Sequence, residues 1–146
     1  MRRAVRAIVF KDNNLLVMKR NKFGTQYYTL PGGAMSMGET SGHALVREMS
    51  EETGVQLGDA RLVFIEDSGG IYGVQYIYLV SYVGGEPHLN PNSEEASISA
   101  LGKNIYEPVW LPISELATAS FVTERLRDAI VHAVKNGFPE KPVTIS

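Results

Sequence analysis

Residues Gly33 to Val55 restrict this chain more than any other stretch. The run sets Gly33, five residues, Glu39, seven residues, Arg47-Glu48, an apolar residue, a free position, Glu51-Glu52, another free position, Gly54 and a further apolar residue. Physically it is a glycine-containing turn feeding a short helix. With Glu48 as the zero of angle, Glu52 falls ~40° to one side and Glu51 ~60° to the other, so three carboxylates share one arc of ~100°. Leu45, Val46 and Met49 centre roughly 110° away, joined by Gly42 and Thr53. The helix is therefore expected to dock one face on a core and to present acid on the adjacent face. Thr40 or Ser41 supplies the N-cap, and Gly54 the stop. His43 projects away from the acid.

Carboxylates at (i, i+4) repel each other by a few tenths of a kcal/mol. A solvated acidic face with an Arg47–Glu51 ion pair is one way to relieve that conflict. A hard divalent cation such as Mg²⁺ or Mn²⁺ is the other, since it prefers carboxylate oxygens. The spacing decides between them. It matches, at every fixed position, the signature G-x5-E-x7-R-E-U-x-E-E-x-G-U (U apolar) of the Nudix, or MutT-like, hydrolases. At residue frequencies of ~5–7%, a chance match is on the order of one in a million or rarer. The preceding Leu30-Pro31-Gly32-Gly33 also resembles the family, with Tyr28 where Trp is frequent.

The resemblance implies an α/β (α+β) fold, an α/β/α sandwich with a mixed central sheet. It implies divalent-metal-dependent hydrolysis of a pyrophosphate bond in a nucleoside diphosphate linked to X. A nucleotide-binding or regulatory protein on the same fold, without catalysis, is the alternative. By resemblance Glu51 and Glu52 are metal ligands and Glu48 is a ligand or the base that takes the water's proton. Arg47 orients a glutamate, Glu39 supports the site, and the Gly33 carbonyl is a further ligand. A loop carboxylate completes such sites in many members, which points to Glu94 or Glu95, with Glu107 as competitor. Substrate contacts are expected from Arg20, in the basic run Lys19 to Lys22, and from Tyr28 and Tyr72. Tyr72 lies 17 residues after Val55, where diadenosine polyphosphate enzymes often carry Tyr. A dinucleoside polyphosphate is favoured on that residue, together with a nucleoside triphosphate, which stays open. Many small members are dimers, so a homodimer is expected.

The rest of the chain fits. Its 146 residues suit a single domain over 1–146. It has no cysteine and a net charge of −2, with neither a basic tract for stable nucleic-acid binding nor an apolar run for a membrane. The N-terminus has no secretory segment, so a cytoplasmic location is expected. Ala4–Phe10 and Leu15–Met18 read as a hairpin, with a loop at 23–26 and a short strand at 27–30. Leu62–Asp67 and Val74–Val83 read as strands, the second apolar on both faces and so central. Residues 88–104 read as a long polar connection. Val109–Pro112 reads as a strand leading to a one-turn helix capped by Ser114, and Thr123–Asn136 as an amphipathic helix stopped by Gly137. The tail is expected along the surface or in a dimer contact.

Overall fold

The structure, a computed structural model, describes residues 2–69 and 73–145. Two sheets lie between helices. The first is mixed and five-stranded, in the order β5 (Gly32–Ala34), β1 (Arg3–Ile8), β7 (Val74–Gly84), β6 (Gln56–Asp67), β9 (Val143–Ile145). The β1–β7 and β6–β9 pairs are parallel and the others antiparallel. The second sheet is antiparallel. Its β3 (Asn14–Lys22) pairs with β2 (Phe10–Lys11), with β4 (Thr25–Thr29) and, along its whole length, with β8 (Asn104–Pro112).

The expected N-terminal hairpin is thus corrected. The apolar run from Ala4 to Phe10 is divided at Val9, β1 joining one sheet and β2 the other. Only β2 and β3 form the hairpin, through Asp12 and Asn13 at positive φ (48° and 64°), the pairing that a two-residue type I′ turn requires. The 23–26 loop shrinks to a tight turn at Phe23-Gly24, because β3 and β4 run up to it.

Both faces of the central strands are apolar. Val5, Ala7, Val9, Leu16 and Val80 pack on one side with Ala44, Leu45 and Met49 of α1 (Ser41–Glu52). Ile8, Leu15, Val17, Val63 and Ile77 pack on the other with Leu126, Ile130 and Ala133 of α4 (Glu124–Asn136). Burying side chains of this size contributes roughly 1.5–3 kcal/mol each. The tyrosines of β7 follow the alternation, with Tyr76, Tyr78 and Tyr82 against the α1-side core.

Thr40 caps α1 by accepting from the His43 N–H, and Thr123 caps α4 by accepting from the Leu126 N–H. Val46, expected in the core, is 70% exposed, and Ala44 takes its place. The polar connection at 88–104 is also corrected. It contains α2 (Glu94–Ala100), capped by Ser93. The one-turn helix, α3 (Ile113–Leu116), has Pro112 rather than Ser114 at its N-cap position, with no side-chain cap bond. The tail returns as β9 on the edge of the mixed sheet. No helix among the described residues is long and apolar enough to cross a membrane.

Candidate active site

Three features place carboxylates at the end of α1. Gly32 and Gly33 lie in β5, antiparallel to β1 and in contact with the helix. Gly32 has φ 142°, and a Cβ there would lie 1.9 Å from the Val5 carbonyl oxygen, so only glycine fits. Its N–H donates to Glu52 Oε2 at 2.7 Å. Gly33 sits under Glu48, where a Cβ would come within 2.4 Å of Oε2. The two glycines let the strand approach closely enough for Glu48 and Glu52 to be buried against it, at 6% and 5% exposure. The acid face of α1 is thus turned inward rather than displayed beside the core.

The third carboxylate arrives on α2. The exposed carbonyls at the C-terminal end of α1 are met by the chain that follows β7: His88 N–H donates to Thr53 O and Asn90 N–H to Glu51 O. That docking leads straight into α2 and sets Glu95 against the first two acids. One oxygen from each of Glu48, Glu52 and Glu95 lies within 4.8 Å of the others. An all-carboxylate group of this kind suits a hard divalent cation.

The electrostatics agree. Burial pushes the Glu52 carboxyl up to about 8, reinforced by Glu95 and Glu48 and opposed by the Gly32 N–H and Arg6. Burial also raises Glu48, against the pull of Arg47. A positive ion would relieve both.

Arg47 fixes the surroundings. Its Nη1 donates to Glu48 Oε1 at 2.8 Å, while Nε and Nη2 each bond the Glu39 carboxylate at 2.9 Å. Glu39 also accepts from the Ser36 N–H. Arg47, with Ser36 adding to it, holds the Glu39 carboxyl down at about 2. Glu39 therefore supports the site through Arg47.

Other expected site residues lie elsewhere. Glu51 is half-exposed, 3.6 Å from Arg47 Nη1, and outside the three-carboxylate group. Glu94, beside Glu95 on α2, is exposed and also outside it, as is Glu107 on β8. Tyr28 packs on the α4-side core. Tyr72 falls outside the described residues. Arg20, by contrast, stays within the field of Arg6; it lies over the Tyr106 ring at 3.7 Å and donates to Ile105 O and to Asn104 Oδ1.

Arg6 was legible only as a charge within an apolar strand, and it matters here. It donates Nε to Gln75 Oε1 at 3.0 Å and Nη1 to Leu30 O at 3.2 Å. It lies in the field of Glu52 and Glu48, and burial draws its guanidinium below the ordinary value. It also lines a cavity of about 550 Å³ between β1, β6 and the start of α4. The size is that of a small-molecule pocket.

The chain is similar to several known proteins. The ADP-ribose pyrophosphatase of Methanocaldococcus jannaschii is 31% identical over 104 residues, covering 64% of this chain and 58% of that protein. The NAD-capped RNA hydrolase NudC of Photobacterium profundum is 28% identical over 128 residues, covering 88% and 46%. The chain therefore spans about half the length of these relatives. A MutT NUDIX hydrolase from Burkholderia pseudomallei superposes with a TM-score of 0.65 at 24% identity, over 86% of this chain and 94% of that one. A UDP-X diphosphatase does so with a TM-score of 0.67 at 17% identity, over 99% and 66%. These two likenesses carry the fold, and the NUDIX domain model that matches residues 1–131 makes this chain a member of the NUDIX family.

Proposed function

We propose that the chain hydrolyses a pyrophosphate bond in a nucleoside diphosphate linked to a further group. A nucleoside triphosphate or dinucleoside polyphosphate is the favoured substrate, with Mg²⁺ or Mn²⁺ as the cofactor. The observation that carries this reading is the convergence of Glu48, Glu52 and Glu95, with Arg6, a residue of the cavity wall, in the field of Glu52 and Glu48. Relatives named for hydrolysis of ADP-ribose and of NAD-capped RNA support the wider class, a nucleoside diphosphate linked to a further group.

The donor set fits a hard divalent ion, and Glu48, Glu52 and Glu95 would hold it. When bound, such an ion supplies positive charge to the phosphoryl oxygens and lowers the pKa of a coordinated water. The chain's own groups do the rest. Arg47 occupies Glu48 Oε1 and so leaves Oε2 to take a proton or a metal. The Gly32 N–H fixes Glu52. Arg6 and Arg20 supply fixed positive charge for the polyphosphate, and positioning of this sort accounts for most of the catalysis asked of a phosphoryl-transfer site. Water adds its hydroxyl to one phosphorus, the bridging oxygen leaves with the other, and a site carboxylate takes up the water's proton.

The test is product release from nucleoside triphosphates, dinucleoside polyphosphates, ADP-ribose and nucleotide sugars, with Mg²⁺, with Mn²⁺ and with chelator. Metal-dependent cleavage of one class is expected, with turnover lowered ~10²-fold or more in Glu52→Gln. A folded, metal-binding protein that cleaves none of the panel would instead favour a binding role.

A further inference from the structure

The cavity that Arg6 lines also holds a carboxylate that the hydrolysis chemistry does not require. Glu66, near the end of β6, lines the cavity and is 2% exposed. Its Oε2 accepts from Arg125 Nε at 2.8 Å and from Thr123 Oγ1, at the start of α4. Its Oε1 accepts no hydrogen bond from any described residue. Tying α4 to the sheet needs only the acceptor at Oε2, and a neutral glutamine would supply it at a smaller desolvation cost. An open oxygen on a nearly buried carboxylate therefore asks for a donor from outside the protein.

The cavity restricts that donor. A phosphate is repelled by Glu66 and belongs near Arg6 and the acidic group. A sugar hydroxyl could donate, but Leu30, Val122 and Leu126 line the same space and favour a flat group with apolar faces. A nucleobase has both the faces and an N–H edge. Arg125 lies directly beside Glu66, which puts a donor next to the open acceptor. The base that fits best turns two N–H groups toward one acceptor and carries a carbonyl beside them. Guanine does this with N1–H, N2–H and O6.

We propose that Glu66 is a specificity-determining residue, reading the N–H edge of the substrate's base and selecting guanine over bases that lack its amino group. The proposal rests on the nucleotide reading given above and names the base for that same site. Arg125 and Thr123 act as positioning residues, holding Oε2 so that Oε1 faces the base.

The experiment is calorimetric titration of the protein with GMP, IMP, AMP, UMP and ribose 5-phosphate, none of which needs to be cleaved. GMP and IMP differ only in the 2-amino group, so wild type alone gives a first answer. GMP is expected to bind ~10-fold or more tighter than IMP, the scale of one hydrogen bond to a charged group. In Glu66→Gln that ratio is expected to fall toward one. For a guanine nucleoside triphosphate, the same change is expected to raise KM more than it lowers kcat. Equal binding of GMP and IMP by wild type would overturn the proposal. So would a loss in Glu66→Gln that is the same for every ligand, ribose 5-phosphate included, since that would assign Glu66 to the sugar or to the fold. The two readings can fail separately. Guanine-selective, Glu66-dependent binding in a protein that cleaves nothing would remove the hydrolase and leave the pocket. Nucleotide cleavage with base preference unaltered in Glu66→Gln would do the reverse.

Discussion

Replacing Glu52 by Gln is expected to stabilise the metal-free protein at neutral pH, although it removes a residue assigned to the site. The Glu52 carboxyl is held at about 8 in the fold, chiefly by burial. An unfolded glutamate titrates near ~4.3. A carboxyl raised by folding leaves stability intact below the unfolded value and costs stability progressively as pH rises from there through the folded value. At about pH 7 the group is still mostly protonated in the fold, and linkage puts the cost at ~3 kcal/mol, rising toward ~5 kcal/mol above about pH 8. The glutamine variant carries no such penalty, and its amide oxygen can still accept from the Gly32 N–H. At about pH 7 the carboxyl it replaces is itself mostly neutral, so the bond changes little and the net gain is ~3 kcal/mol, or ~6–12 °C in Tm for a chain of this size.

Thermal or urea unfolding of both proteins in chelator, from about pH 4.5 to about pH 8.5, measures this directly. The gap should be near zero or reversed at the acid end and should widen with pH. Added Mn²⁺ or Mg²⁺ should then stabilise wild type and do much less for the variant, because binding to the fold alone is what raises apparent stability. A gain that does not change with pH would refute the reasoning. So would a variant less stable than wild type at about pH 8 in chelator, since the buried carboxyl would then not be the source of the strain.

Three further perturbations test the neighbouring geometry. Gly33→Ala places a Cβ 2.4 Å from Glu48 Oε2, so metal affinity and turnover should fall ~10–100-fold, while circular dichroism shows the helices retained. Glu95→Gln should weaken Mn²⁺ binding by ~10-fold or more, whereas Glu94→Gln, one position away and exposed, should change it less than about twofold in the same titration. Glu39 is held at about 2 by Arg47, so its contribution to stability is present above the ordinary carboxylate value and lost as pH falls toward about 2. The stability deficit of Glu39→Gln should accordingly shrink in acid unfolding curves.

The parts of this fold that could be read from the chain are those where a pattern is both long and punctuated. Helix α1 has Thr40 before it, Gly54 after it and Leu45 and Met49 on its core side, so its limits came out closely. Helix α4 is similar, with Thr123 and Gly137 at its ends. Strand β7 declared itself by being apolar on both faces. The division of β1 from β2 left no such mark, because Val9 is as apolar as its neighbours and the run looks continuous. Helix α2 leaves no mark in the sequence for the opposite reason. None of its seven residues is buried, so it has no apolar stripe to give a period. Its only signal is Ser93 followed by two acids, a cap that is weak on its own.

That absence also explains why Glu95 could not be told from Glu94. Neighbouring residues on a helix point ~100° apart, so once α2 is helical only one of the pair can face α1. With no buried face to set the phase, the choice is made by contacts remote in sequence. These are the bonds from His88 and Asn90 to the end of α1, and the Ser99 hydroxyl accepting from the Tyr106 N–H of β8. Arg6 and Glu66 differ in kind, because Arg6 stands between buried Val5 and Ala7, and Glu66 is itself buried two residues after buried Phe64. Burying a charge costs several kcal/mol unless it is compensated, so an isolated ionic residue at an inward strand position calls for a partner or a ligand. Arg6 answers with the Glu52 field and Gln75. Glu66 answers with Arg125 and Thr123 on one oxygen only, and the second oxygen is why the cavity is expected to discriminate among bases rather than merely admit them.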